Sequence, residues 1–413
     1  MINVWIGMTR LIIIKKGGAM LVDLISLKNI TILSLLCLTI NISARASMTV
    51  EEDRISKARN DMPDLFESFR SQVNDIKSSC KKKDTYARLS ACVENAGIKI
   101  WESAKNQISS TLDDRPLYWN RLILTQFLRN AEFDFEPSSE QRLDLIERLE
   151  NSSRGRTKLV FKKGLHHKIL LTGFDPFLLD RHIDQSNPSG VAALMLDDKS
   201  ITFGDIKAEI KTVLFPVRFD DFDAGELESL LRPFYQDGSI DMIVTVSMGR
   251  ENFDLEHYPG RRRSSEAPDN LNQYSGGSAK NPIVPMLKGG LLEGAEFYEF
   301  SLPYAAIMKA EKDSPYKIND RRIVSTLEGS ETISSLSQLK NAIAVRGGGG
   351  GYLSNEISYR SVRLASLYQS DIRTGHIHTP RIVSFNKKEI KDIVEQLEKM
   401  IRYSLDSLES EKR

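Results

Sequence analysis

An α/β fold, in which helices cover both faces of a mostly parallel mixed sheet behind an α-helical N-terminal segment, is what this sequence predicts. Three observations carry it. From about residue 166 onward, short apolar runs alternate with stretches of helical period. Those runs end at turn-forming residues such as Gly173 and Pro176, as buried strands do. Before residue 151, by contrast, the apolar spacing is helical throughout. A sheet of this kind places its sites at the carboxyl ends of its strands.

The first 46 residues read as an address. Residues 30–40 (ITILSLLCLTI) form a run of eleven, preceded by Lys28 and followed by Ala44-Arg45-Ala46. A basic flank, a short greasy segment and an A-x-A site are the parts of a secretory signal, with cleavage after Ala46. Met20 is an alternative start, because the residues before it add nothing that a signal needs. The run is too short for a comfortable membrane span, so the mature chain is expected to be exported, periplasmic or secreted, with no stable span. Cys80 and Cys92 then remain, and an oxidising compartment lets them pair. Closing so short a loop stabilises by about 3 kcal/mol in the chain-entropy model. Two unrelated thiols are the other reading.

Residues 47–165 read as a helical extension and linker. Ile55, Ala58 and Met62 share a face, as do Leu65, Phe66, Phe69, Val73 and Ile76 after Pro63. Pro116 and Pro137 stand where helices start. Residues 151–158 (NSSRGRTK) form the linker, and the segment suits packing or docking rather than chemistry. In the rest of the chain, residues 166–413, strands are expected at 168–172, 213–217, 241–246, 297–303 and 342–345. Helices are expected at 190–196, 223–235 and 354–368. A last helix from about Lys387 carries Ile390, Ile393, Val394, Leu397, Ile401 and Leu405 on one stripe.

Composition narrows the functions. The 413 residues suffice for two domains, or one domain and an extension. Lys+Arg of 57 against Asp+Glu of 56 leaves +1, so no global field selects nucleic acid or an anionic membrane. The 3 Cys and 6 His show no zinc-type spacing, and neither a metal nor a cofactor is expected. One stretch does suggest chemistry. The apolar run 342–345 and Arg346 lead into five glycines, 347–351, and then Tyr352-Leu353-Ser354-Asn355 opens a helix. Glycines let the backbone approach a bound group with its N–H vectors inward, and a helix start adds unpaired N–H groups. A hydroxyl at Ser354 could attack a carbonyl whose oxygen those donors hold. A flexible loop with a capping serine is the plainer alternative.

Ordered motifs then carry a resemblance. Gly173-Phe174-Asp175-Pro176-Phe177 and Asn187-Pro188-Ser189 resemble the opening of the pyroglutamyl peptidase I family, the C15 pyrrolidone-carboxylate peptidases. Leu214-Phe215-Pro216-Val217, then Gly249-Arg250, Glu256 and Pro268-Asp269-Asn270, resemble its next segments in order. Residues 294–307 (GAEFYEFSLPYAAI), Tyr352-Leu353-Ser354-Asn355 and Gly375-His376-Ile377-His378-Thr379-Pro380 resemble the later ones. The match spans about 166–380, with an insertion near 311–339. It implies a three-layer α/β/α fold of the phosphorylase/hydrolase type and a triad in which Glu256 orients His378, the base, toward position 354. It also implies a ring slot lined by Phe174, Phe177 and Tyr352, with Asn187 as a helix cap fixing the slot's loop, and an oxyanion region at Gly350, Gly351 and Asn355.

Two departures qualify the resemblance. The family's nucleophilic cysteine is here Ser354, and a hydroxyl, unlike a thiol, is not ionised near neutrality. Ser-His-Glu nonetheless remains a workable acyl-transfer set. An arginine that the family carries before its PDN segment is here Glu266, while Arg261, Arg262 and Arg263 come earlier, on what reads as a solvated loop. The expected function is an exported pyroglutamyl peptidase-like hydrolase acting on peptides with an N-terminal pyroglutamyl or related cyclic amide. The alternative is an inactive relative that binds capped peptides or a protein partner.

Overall fold

The computed structural model describes residues 48–410 apart from 163, 165 and 166, together with the backbone of three short N-terminal segments. Those segments, Asn3–Gly7, Arg10–Lys15 and Gly18–Val22, pair antiparallel within a compact unit of residues 1–45. The signal-type run 30–40, with Cys37, and the expected cleavage site at Ala46 lie outside the described residues. Residues 46–413 form a second unit, which holds everything below.

Three short helices, Val50–Asp53, Ile55–Asp61 and Pro63–Ser68, open that unit, and four long ones follow: α1 (Arg70–Lys81), α2 (Tyr86–Thr111), α3 (Arg115–Asn130) and α4 (Ser139–Ser152). Thr85 caps α2 through the Arg88 N–H, and Ser138 and Gln141 form a capping box at α4. Pro116 sits in the first turn of α3, where a missing N–H costs nothing. Cys80 and Cys92 are joined in a disulfide that ties α1 to α2.

The sheet has seven strands. β1 (His167–Phe174), β2 (Ser200–Phe203), β3 (Ile206–Phe215), β4 (Met242–Met248), β5 (Phe253–Glu256), β6 (Ile318–Arg321) and β7 (Arg373–Thr379) lie in the order β6-β5-β7-β4-β1-β3-β2. The central four, β7-β4-β1-β3, are parallel; β2 and the β5-β6 pair run opposite to their neighbours. Period-two alternation sorts the strand side chains between two cores. Ile169 and Leu171 pack with α5 (Pro188–Leu196) and α8 (Lys387–Ser410), while Leu170 and Ile243 face α6 (Glu226–Asp237) and α7 (Leu353–Leu367). The result is the expected three-layer α/β/α arrangement.

The helical segment shares its core with the first of those faces. Buried Leu89, Ile100, Trp101 and Trp119 belong to the same apolar cluster as Val191, Leu196 and Ile393. The insertion also has a clear place: β6 extends the main sheet beside β5, and the hairpin Ile323–Thr326/Gly329–Thr332 pairs with Ala344–Arg346. The apolar run before the glycines therefore belongs to a small satellite sheet, not to the main one. Residues 297–303 are not a strand either. Their donors go to different segments, Phe300 N–H to His257 O and Ser301 N–H to Thr374 O, and Pro303 has none to give.

Candidate functional site

The carboxyl ends of β1, β4, β5 and β7 converge with the start of α7. β7 places His378 beside Ser247 of β4 and Asp254 of β5. The His378 Nδ1–H is 2.8 Å from Glu256 Oε1 and donates to it, which leaves Nε2 as the ring nitrogen able to accept a proton. Glu256 is 1% exposed. Burial pushes its carboxyl above the ordinary range, opposed by the hydrogen bond from His378. Its second oxygen, Oε2, has no hydrogen-bond partner among the described residues. Arg250 Nη1 is 4.0 Å from Oε1, but its closer partner is Asp254, at 2.6 Å.

The glycines earn their place by proximity. A Cβ on Gly348 would stand 2.0 Å from Glu256 Oε2, and one on Gly347 would stand 2.1 Å from Asn355 Oδ1. Gly349 lies between the two halves of the site. Its Cβ would approach His378 Cε1 to 3.3 Å, and its carbonyl accepts the Ser354 Oγ–H at 3.0 Å. Gly350 has φ +93°, which L side chains rarely adopt, and its N–H closes a turn onto Gly347 O. The loop is held from outside: Ser264 and Ser265 N–H both donate to Gly351 O, and Ser264 Oγ donates to Val345 O.

Ser354 is the second residue of α7, behind Tyr352 at the cap position. Leu353 and Ser354 therefore carry first-turn N–H groups that have no acceptor within the helix. Asn355 is committed elsewhere: its Oδ1 accepts the Gly260 N–H at 2.9 Å and its Nδ2 donates to Gly260 O at 2.6 Å. Of the expected oxyanion residues, then, Gly350 and Asn355 spend their donors on holding the loop. The first turn of α7 offers the freer N–H groups.

A cavity of about 300 Å³ opens in front of Ser354. Phe174, Phe177, Asn187, Tyr352 and Ser354 all line it, whereas Glu256, His378, Gly350, Gly351 and Asn355, the other sequence-selected positions, do not. Phe174 stacks on Phe222, and the Tyr352 hydroxyl donates to Pro268 O, which holds both rings in place. Burial raises the Tyr352 phenol well above its ordinary range, so it stays neutral. Asn187 caps α5 through the Ser189 N–H and donates to Asp175 O, pinning the loop that carries Phe174 and Phe177. Glu256 and His378 stand behind this lining, reached past Gly249, where a Cβ would meet the His378 Cβ at 2.6 Å.

The arginine triplet is not on a solvated loop. Arg261 donates to Leu292 O and Arg262 to Glu296, while Arg263 is buried, bridging Glu356 and Asp223 with its guanidinium over Phe219. Each guanidinium fork is met by oxygen acceptors, and none of the three lines the cavity. Ser247, Ser265 and Arg381 do line it. Motif reading passed over them, although Ser247 ends an apolar strand run, where sites in such sheets gather. His257 forms a short pair with Asp320 and stacks on Tyr304, among groups that do not line the cavity. No cluster able to hold a metal ion occurs among the described residues, and no helix among them is long and apolar enough to cross a membrane.

Comparison with known proteins adds a family. Residues 37–150 match the family model described as the PA0049 N-terminal domain, and residues 168–302 and 302–383 match the PA0049 C-terminal domain. The chain is 25% identical over 388 residues to the uncharacterized protein PA0049 of Pseudomonas aeruginosa, covering 72% of this chain and 70% of that one. Among solved structures, a mutant pyrrolidone carboxyl peptidase of the hyperthermophile Pyrococcus furiosus is similar at TM-score 0.40 and 22% identity, over 58% of this chain and 99% of the other. The pyrrolidone carboxyl peptidase of Thermococcus litoralis is similar at TM-score 0.41 and 19% identity, over 59% of this chain and 96% of the other. With the C-terminal model alone spanning more than half of its residues, this chain belongs to the PA0049 family.

Proposed function

We propose that this protein is an exported hydrolase that removes an N-terminal pyroglutamyl residue, or a related cyclic amide, through an acyl-enzyme on Ser354. One observation supports the reading above others: a buried His378–Glu256 pair stands beside a cavity with aromatic walls whose lining includes a serine at a helix start. An uncharged, flat ring suits walls made of Phe174, Phe177 and Tyr352. In the reaction, Ser354 Oγ turns from Gly349 O toward His378 Nε2 and gives up its proton as it attacks the carbonyl carbon. Glu256 steadies the imidazolium, and the first-turn N–H groups of α7 meet the oxyanion. The proton then passes to the departing amine, and water releases the acyl group by the same steps.

A second reading follows from the hydrogen bond that Ser354 Oγ donates to Gly349 O. A hydroxyl held there is withdrawn from the base, which favours a non-catalytic relative that binds capped peptides or a partner. Hydrolysis of a pyroglutamyl arylamide by wild type, Ser354→Ala and Ser354→Cys separates the two. Turnover in wild type that alanine abolishes supports the hydrolase. Turnover in the cysteine variant alone, or peptide binding without turnover in all three, supports the binding reading.

A further inference from the structure

Next to the Glu256–His378 pair lies a second relay that the proposed reaction does not use. Ser247, at the carboxyl end of β4, lines the cavity and is hydrogen-bonded through Oγ to His376 Nε2 at 2.9 Å. The other nitrogen of that ring, Nδ1, is 2.8 Å from Thr245 Oγ1, which donates to Gly375 O at 3.1 Å. His376 is 0% exposed, and its ring meets that of His378 edge-on at 4.5 Å.

The polarity of this chain of bonds can be followed from its closed end. With the single Thr245 hydroxyl proton spent on its bond to Gly375 O, Thr245 Oγ1 is the acceptor toward the ring and takes the His376 Nδ1–H. In the neutral ring Nε2 is then the acceptor, and it takes the Ser247 Oγ–H. Burial, with His378 beside it, holds the His376 imidazole well below its ordinary range and so neutral. With its proton directed inward, Ser247 Oγ has only lone pairs left for the cavity.

We infer that Ser247 is a specificity-determining hydrogen-bond acceptor that reads an N–H group on the ring bound between Phe174, Phe177 and Tyr352. The inference rests on the reading of the cavity as a cyclic-amide site and names how the amide N–H is told from its isosteres. A lactam satisfies Ser247. A lactone presents an oxygen to the same lone pairs, and an N-methyl lactam presents a methyl group, so both leave the acceptor unpaired. His376 and Thr245 act as positioning residues that fix the direction of the serine proton.

The test is binding of 2-pyrrolidone, γ-butyrolactone and N-methyl-2-pyrrolidone, followed by NMR titration of wild type, Ser247→Ala and Ser247→Thr. Wild type is expected to bind the lactam about tenfold more tightly than the lactone, the size of one neutral hydrogen bond. Ser247→Ala should erase that gap by weakening the lactam alone, and Ser247→Thr, which keeps the hydroxyl, should preserve it. A purely structural role would weaken all three ligands together. Equal wild-type affinities, a gap that survives in Ser247→Ala, or no binding of the lactam would each overturn the inference. Failure of the hydrolase reading has a different signature: no Ser354-dependent turnover while the lactam preference stays intact.

Discussion

At the scale of single residues, the site is set by where side chains are missing as much as by where they are present. Gly348 has room for no Cβ, because the Glu256 carboxylate fills that space. Gly348→Ala is therefore expected to push Glu256 off His378. Its signature should be loss of most arylamide turnover, together with a loss of stability of about 1–3 kcal/mol in urea unfolding. Glu256→Gln preserves the volume but lets an amide N–H face His378 Nδ1. Its turnover should fall by about 10²- to 10⁴-fold, while the far-UV spectrum stays that of wild type. The family resemblance singles out Ser354, His378 and Glu256 because each falls within a run of ordered motifs. It could not reach the Gly349 carbonyl that holds the Ser354 hydroxyl, since backbone acceptors leave no residue-type signature.

Among elements, the decisive contacts join helices to loops. Arg121 on α3 and Arg154 after α4 both reach Asp175, in the loop that supplies Phe174 and Phe177. Burial pushes the Asp175 carboxyl up, but Arg121 and Arg154 outweigh it and hold it below the usual range. Arg54 donates to Asn270 O and pairs with Asp180, and Asp114 accepts from Ser186 Oγ and the Asn187 N–H. The helical segment thus clamps the loops that frame the cavity. Arg121→Met leaves part of a buried charge network unpaired and is expected to cost about 3–5 kcal/mol of unfolding free energy. Asp114 gives a pH signature. Burial pushes its carboxyl up to about 8, opposed by the Ser186 hydrogen bond. Folding therefore takes up a proton between the unfolded value and 8, so this contribution to stability is full in acid and is lost as pH rises to about 8. Thermal melts of wild type and Asp114→Asn across pH 4–9 should converge toward low pH and separate as pH rises, with the asparagine variant less sensitive. Helix periodicity made these helices legible in the sequence. Their ion pairs were not, because the partners lie 54 and 21 positions apart at Asp175 with no shared motif.

For the molecule as a whole, the helices and the α/β layers lie in one compact unit within residues 46–413. Their common apolar cluster runs from Ile55 to Leu408, so neither part can expose its side of that core without cost. A fragment of residues 166–413 should accordingly fail to give a cooperative melt, whereas residues 47–413 should give a single transition. Of the seven strands, β1, β3 and β4 could be read from apolar runs, and the flanking helices from their periodicity; β2, β5, β6 and β7 could not, being short or polar in sequence. The docking of the helical segment onto the site could not, because an amphipathic stripe does not say which surface covers it. The central claim is that Ser354 is an activated nucleophile, and it is tested most directly by reaction with a fluorophosphonate followed by peptide mass mapping. The account predicts a single adduct on Ser354 that disappears in His378→Ala; a folded protein that leaves Ser354 unmodified, or labels it equally without His378, would contradict it.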